Sequence, residues 1–496
     1  MHNSKLLTAC LAAALSGIAA RASADPITLI GTGRVPGTES DGLVFADPLL
    51  EDGVTPRDQV GGFGSAITYS GAGQRFIATP DRGPADGATS YPDRYYAFDI
   101  AIAPAAAEPV SISLKEAHLL SDASGAQLTG SATAFDKGLR FDSEGVRLDG
   151  HGGFYVSDEY GPFLYHFDAS GRQIGKVEIP ASFLIATPAA DPNAELPPNI
   201  VSGRQPNRGM EGLAISPDGS KLFGIMQNAL IQDGALDAEN ARIGLNNRIL
   251  EIDTATGQTR QFVYTLEGKK YGVNEILAIN DHELITIERD GNKGEEAAFK
   301  RLYKIDLSGA SDVSAIAALP TEGLPEGVTA ASKSLFLDLL DPAFGLVGAS
   351  FPEKIEGLAF GPKLADGRLT LVVSVDNDFV AENDSIVWAF AIDPSVLNYV
   401  PQHFSVPVAR QAHIAGYAVV SIAGQALLPV SAIDRASLRL GEASPLALRG
   451  KPVCAESDLN RDGEQDLACL FKASAAREGA KLSGMTTTGS PIDGAL

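Results

Sequence analysis

Short runs of alternating apolar and polar residues recur along the chain, separated by Gly, Pro, Asp and Asn. This period-two pattern predicts β-strands joined by tight turns. Adjacent runs pair into hairpins, and four of these share a layout: "DSEGVRLDGHGGFYVSDE" (142–159), "GMEGLAISPDGSKLFGIMQN" (209–228), "VNEILAINDHELITIER" (273–289) and "KIEGLAFGPKLADGRLTLVVSVDN" (354–377). Each carries a glutamate near the head of its first apolar strand. An earlier hairpin, "GGFGSAITYSGAGQRFIATPDRG" (61–83), has the pattern without the glutamate.

The units also end alike, in "YYAFDI", "LYHFD", "ILEID", "LYKID" and "WAFAID", with the closing Asp at 99, 168, 253, 306 and 393. Strands that recur in this way without helices between them predict an all-β protein, a β-propeller whose blades surround a channel. Five endings predict at least five blades. A strand near 26–34 joined to a late strand would make six, within a range of five to seven. The segments at 187–207, 233–247 and 290–300 read as loops, the latter two with short helix, and "ASKSLFLDLLD" (331–341) reads as helical. Beyond about residue 400 the endings stop, so the chain divides into a leader (1–24), a propeller (25–400) and a small β-rich C-terminal domain (401–496).

Strand phase gives the glutamates a direction, because alternate residues share a face. Glu144, Glu211, Glu275 and Glu356 are each in phase with the apolar residues two and four positions on, so they extend the core-facing row. Antiparallel pairing returns a second polar group beside each: Asp158 and Glu159, Gln227 and Asn228, Glu288 and Arg289, Asp376 and Asn377, with Asp81 and Arg82 in the first unit. Such pairs converge on one channel mouth, where carboxylates repel unless cations or protons offset them. Arg140, Arg208, Lys270 and Lys354 precede the glutamates and would neutralise the ring or contact a phosphate. Hard oxygen ligands would suit a divalent cation, Ca²⁺ or Mg²⁺, in the channel. The competing reading, in which each glutamate only accepts backbone N–H bonds and locks neighbouring blades, is left open by the sequence.

Charge narrows the partners. The 496 residues carry 62 acids against 39 Lys and Arg. That balance disfavours nucleic acid and anionic membrane surfaces. "MHNSKLLTACLAAALSGIAARASA" has the layout of a cleaved signal peptide and predicts a periplasmic or secreted protein without a membrane span. Its removal takes Lys5 and Arg21 and no acid, so the net charge moves from -23 to -25. It also leaves two cysteines, Cys454 and Cys469, which an oxidising compartment would pair.

The ordered set "DSEGV…YVSDEYGPFLYHFD", "NRGMEGLAISPDGSKLF", "NEILAINDHELITIERD" and "EKIEGLAF…VVSVDND" resembles the bacterial family described as esterase-like activity of phytase, over roughly residues 55 to 395. The resemblance implies a propeller hydrolase of phosphoric esters. It carries a catalytic role onto Glu144, Glu211, Glu275 and Glu356, and a substrate-binding role onto Asp158, Glu159, Glu288, Arg289 and Asp376, to which Arg208, Asn228 and Asn377 are added from the hairpin pattern. The first unit departs by placing Phe63 where a carboxylate would stand. A metal would neutralise phosphate charge and acidify a water, with Glu211, Glu275 or Glu356 as general base. A metal-dependent lactone or carboxyl esterase, and a non-catalytic binding propeller, are the alternatives.

One further motif stands outside the repeats. "DLNRDGEQD" places Asp458, Asn460, Asp462, Glu464 and Asp466 at the alternate positions of a calcium loop, with Gly463 at its sixth. Cys469 replaces the usual terminal glutamate. This predicts a structural Ca²⁺, and a Cys454–Cys469 disulfide closing the loop would add roughly 3 kcal/mol. The sequence holds no serine-hydrolase elbow, zinc-protease helix or P-loop.

Overall fold

The computed structural model describes residues 25–131, 133 and 138–496; the leader expected at 1–24 lies outside them. The described residues form strands and short 3-10 turns, with no α-helix. Five four-stranded antiparallel sheets make the blades. Their first strands are Ala66–Tyr69, Ser143–Leu148, Met210–Ile215, Gly272–Ala278 and Ile355–Phe360 for blades 1 to 5. Each of these packs against the first strands of two other blades, which closes a ring around a channel. Four of the five have nearly every residue buried because a neighbouring blade covers each face, so apolar residues occupy both phases there.

The endings at Asp99, Asp168, Asp253, Asp306 and Asp393 belong to third strands, not last ones. Each blade adds an outer fourth. In blade 5 that fourth strand is Ile27–Val35, which pairs with Ser385–Ile392 and fastens the two ends of the propeller together. The expected sixth blade is therefore the closure of the fifth. Residues Ser332–Asp338, expected to be helical, form the outer strand of blade 4. The pull of a free sheet edge decides their conformation over the local apolar spacing. Short 3-10 turns occur at Ile231–Asp233 and Gly294–Glu296, and another at Pro192–Glu195 interrupts the Pro-rich loop.

Residues 398–404 cross the far end of the channel. Val400 N–H donates to Ile279 O, His403 N–H to Pro217 O and the Gln402 amide to Leu148 O, each just at or past the end of an inner strand. The chain then builds two four-stranded sheets from 404 to 495. Phe404, Val420, Leu467 and Phe471 of these sheets share one apolar core with Ala66, Tyr95, Phe141 and Phe154 of blades 1 and 2. Cys454 and Cys469 face each other on adjacent strands and are disulfide-bonded.

Candidate active site

The inner strands begin at the open end of the channel, and their ladders all slip at the same place. In blades 2 to 5 the register with the second strand shifts between Ser143 and Val146, Met210 and Gly212, Val273 and Glu275, and Ile355 and Gly357. A β-bulge leaves its extra residue out of the ladder and re-aims its side chain. The residues so released are Glu144 (with Gly145), Glu211, Asn274 and Glu356. The fourth member of the ring is thus Asn274, and Glu275 occupies the position held by Gly145, Gly212 and Gly357 elsewhere. Glycine at that position lets neighbouring strands touch: a Cβ on Gly212 would lie 2.7 to 2.9 Å from the backbone of Glu275 and Ile276.

The released side chains line a cavity of about 200 Å³ together with Asp81, Arg82, Glu159, Arg208, Gln227, Asn228, Arg289 and Lys354. At its floor the Asn274 amide donates to Glu211 Oε1 at 2.7 Å and to Glu356 Oε1 at 3.5 Å. Glu211 Oε1 also accepts from the Gln227 amide. Glu356 is ion-paired with Arg289 Nη2 at 2.6 Å, and its other oxygen accepts from the Ser65 hydroxyl at 3.3 Å. On one wall Arg82 bridges Asp142 (2.6 Å) and Glu159 (3.2 Å). On another, Lys354 holds Asp81, Asp376 and Asp378 at 3.4, 3.0 and 2.7 Å. These two walls contain the acidic groups whose oxygens lie within 4.8 Å of one another, Asp142–Glu144–Glu159 and Asp81–Asp376–Asp378. Either could hold a metal only by competing with its resident cation.

Negative charge outruns positive at the floor. Burial, and then the neighbouring Glu211, Asp142 and Glu159, push the Glu144 carboxyl well above its ordinary range. Burial followed by Glu159 and Glu356 does the same to Glu211. Burial raises Asp81 and Asp142 to about 6 and Asp376 to about 7, although Lys354 or Arg82 opposes each shift. The rim is opposite in sign. Arg208, Arg242 and Lys270 line the cavity, and none is in an ion pair with a described carboxylate. Burial and the neighbouring Arg208 lower the Arg242 guanidinium to about 10.

A family model for phytase-like proteins, described as esterase-like activity of phytase, matches residues 58–379. The chain belongs to the phytase-like family. This phytase-like chain is 27% identical over 320 residues to an uncharacterized secreted protein of the fungus Arthroderma benhamiae, a match that spans 49% of the chain and 61% of the relative's length. Among solved structures it is similar to the calcium-binding protein regucalcin from Agrobacterium tumefaciens, at 10% identity and a TM-score of 0.32, covering 68% of this chain and 91% of that one. It is also similar to the β-propeller domain of Cps50 (Swd1) from Myceliophteria thermophila, at 10% identity and 0.28, covering 66% and 83%.

The phytase-like cavity gathers most of the expected residues: Glu144, Glu159, Glu211, Glu356, Arg208, Asn228 and Arg289 line it. Asp376 lies behind Lys354. Four others lie elsewhere. Glu275 is fully buried in the channel wall, where Oε1 accepts from the N–H of Leu213 (3.0 Å) and Ile276 (2.8 Å) and Oε2 pairs with Arg147 at 2.8 Å; burial raises it to about 7 against that pair. Glu288 turns away to Tyr264, Lys333 and the Glu267 N–H. Asp158 accepts from the N–H groups of Asp142 and Tyr160 and lines a separate pocket. Asn377 braces Gly62 and Phe379. Phe63 is buried against Phe98, so blade 1 contributes Asp81 and Arg82 from beyond its second strand instead.

Sequence reasoning missed Asn274, Asp142 and Arg242. Aligning the four hairpins on their E–G dipeptides rather than on every glutamate would have placed Asn274 in the ring. Asp458, Asn460, Asp462, Glu464 and Asp466 lie in a hairpin turn of the C-terminal sheets. There Asp458 accepts from the N–H of Arg461 and Gly463, and Asp466 from Leu459 and Gly424.

Proposed function

We propose that this chain is an exported hydrolase of phosphoric esters working in the cavity at the head of the channel. What carries the reading is the vertical order of charge: three rim cations without carboxylate partners among the described residues, and carboxylates below them. Guanidinium and ammonium groups recognise phosphoryl oxygens through charge-assisted hydrogen bonds. Arg208, Arg242 and Lys270 would hold the phosphoryl group and orient the scissile bond toward the floor. Glu356, held by Arg289, Asn274 and Ser65, would take a proton from the attacking water. Glu144 and Glu211 need a proton or a cation between them, and a divalent cation bound there would neutralise phosphate charge and acidify a water.

Two supporting assignments belong to this reading. The Arg147–Glu275 pair locks blades and takes no part in chemistry. The turn at 458–466 holds a structural Ca²⁺ that stiffens the C-terminal sheets.

The test is release of phosphate from phytate, or of nitrophenolate from a bis-aryl phosphate, that depends on Ca²⁺ and disappears in Glu211→Ala with folding intact. Turnover confined to lactones or carboxylic esters would move the chain to the metal-dependent esterase alternative. No turnover of any ester would leave a binding propeller.

A further inference from the structure

The floor of the cavity holds three buried oxygen acceptors without a protein donor: Glu211 Oε2, Gln227 Oε1 and Asn228 Oδ1. Their side chains are 3%, 6% and 4% exposed, and all line the same cavity. The amide orientations follow from their partners. Gln227 Nε2 donates to Glu211 Oε1, and Asn228 Nδ2 donates to Tyr271 O at 2.9 Å. Each nitrogen is therefore committed, and each oxygen is left as a bare acceptor. A buried acceptor without a donor costs about 1 to 3 kcal/mol, so three in one patch call for a common partner. One cation could serve all three at once.

Space for one exists beside them. Gly272 lines the cavity, and a Cβ built on it would lie 3.6 Å from Asn228 Oδ1, 3.6 Å from Gln227 Cδ and 3.1 Å from Gln227 Cγ. The Asn228 carbonyl and the Gln227 side chain thus border the volume that the missing side chain leaves open. The backbone of Gly272 does not lie in the left-handed region, so conformation alone does not demand glycine there. The two acidic groups on the cavity walls already contain Arg82 or Lys354, whereas no Lys or Arg lies within ion-pair distance of Glu211 among the described residues.

We propose that this floor is a calcium site whose protein ligands are Glu211 Oε2, Gln227 Oε1 and Asn228 Oδ1, with Glu144 adding a second nearby negative charge. Carboxylate and amide oxygens in an irregular set suit Ca²⁺, which accepts about 6 to 8 oxygen ligands at flexible angles, better than Mg²⁺, which demands an octahedron. The site deepens the hydrolase reading, but its test reads binding and not turnover, so either can fail without the other.

The experiment is calorimetric titration of CaCl₂ into the full chain after EDTA stripping. The chain carries Asp458→Ser and Asp462→Ser, so that the C-terminal turn does not contribute. One Ca²⁺ per chain is expected. Gln227→Leu, Asn228→Leu and Gly272→Ala should each weaken it at least about tenfold, within the range that follows loss of a ligand or its support. The metal-free circular dichroism of these variants should match the parent, and their melting midpoints should fall by no more than a few degrees, since Gln227→Leu and Asn228→Leu each remove one donor. Gly272→Ala removes no hydrogen bond but brings a methyl group to 3.1 Å from Gln227 Cγ and 3.6 Å from Asn228 Oδ1, so it crowds the site, and Asn228→Asp should keep binding. No Ca²⁺ uptake by the parent, or uptake that these substitutions leave unchanged, overturns the site. Calcium bound without any ester hydrolysed would leave the site standing and remove the hydrolase reading; Ca²⁺-dependent hydrolysis that Gln227→Leu, Asn228→Leu and Gly272→Ala leave unchanged would do the reverse.

Discussion

Arg147 offers the sharpest test of how the channel is held together. It springs from blade 2, is 2% exposed, and reaches across the channel. Nη1 donates to Ile67 O of blade 1 at 3.0 Å, and Nη2 to Ile276 O of blade 4 at 2.9 Å, while Nη2 also pairs with Glu275. Arg147→Met keeps the apolar stem and removes all three links. Leaving a buried carboxylate unpaired costs about 3 to 5 kcal/mol, and each carbonyl that loses its donor about 1 kcal/mol. An unpaired Glu275 escapes that cost by taking a proton, which caps the ionic part at about 1.4 kcal/mol one pH unit above its native value near 7, so at pH 8 we expect a loss of about 3 kcal/mol in urea-unfolding free energy. At pH 5 Glu275 is protonated even in the native pair, since it sits near 7. The uncompensated charge then vanishes, and the cost should fall to about 2 kcal/mol. Arg147→Met combined with Glu275→Gln should cost the same, about 2 kcal/mol, at both pH values, because the introduced amide oxygen still accepts from the Leu213 and Ile276 N–H groups and carries no charge. Equal losses in the single and double variants at pH 8, without a pH effect, would refute the pairing.

Other outcomes follow from the same geometry. Arg242→Ala and Lys270→Ala should each raise KM for a phosphoric ester about tenfold, with kcat and melting midpoint little changed, as read by steady-state kinetics. Asp81, Asp142 and Asp376 are raised from 3.8 to about 6, 6 and 7, so the stability they contribute is present below pH 4 and is lost as pH rises through 6 to 7. The calcium-free midpoint should accordingly fall between about pH 5 and pH 8, and a rise would contradict it. Cys454→Ser with Cys469→Ser should destabilise the C-terminal sheets by roughly 3 kcal/mol in calorimetry, given the 15-residue separation.

Much of the fold was legible because period-two alternation and the repeated Asp endings are local signals. Blade number was not, since Ile27–Val35 pairs with a strand 350 or more residues away in the chain and local patterning carries no record of its partner. The outer strand Ser332–Asp338 was misread for a related reason. Its pattern is weak because much of it faces solvent at the sheet edge, and the edge itself supplies the order. At the site, strand phase put Glu144, Glu211 and Glu356 on the channel side and Gln227 beside Glu211. Phase failed at Glu275 because both phases of its buried strand are apolar, so Glu275 reads as in phase with Leu277 although the residue that the bulge releases is Asn274. Arg242 and Asp142 lie outside the hairpin cores, where periodicity says nothing about direction.

The proposed hydrolysis of phosphoric esters places Glu356 as base beneath the rim cations. Initial rates of nitrophenolate release from bis(p-nitrophenyl) phosphate, with saturating CaCl₂, test it directly in the parent chain and in Glu356→Gln. We expect measurable turnover by the parent and a fall of about 10² to 10⁴ in kcat for the variant with its native circular dichroism retained, although loss of the Arg289 ion pair lowers its melting midpoint. A parent chain that turns over no phosphoric ester, or a variant that matches its rate, would contradict it.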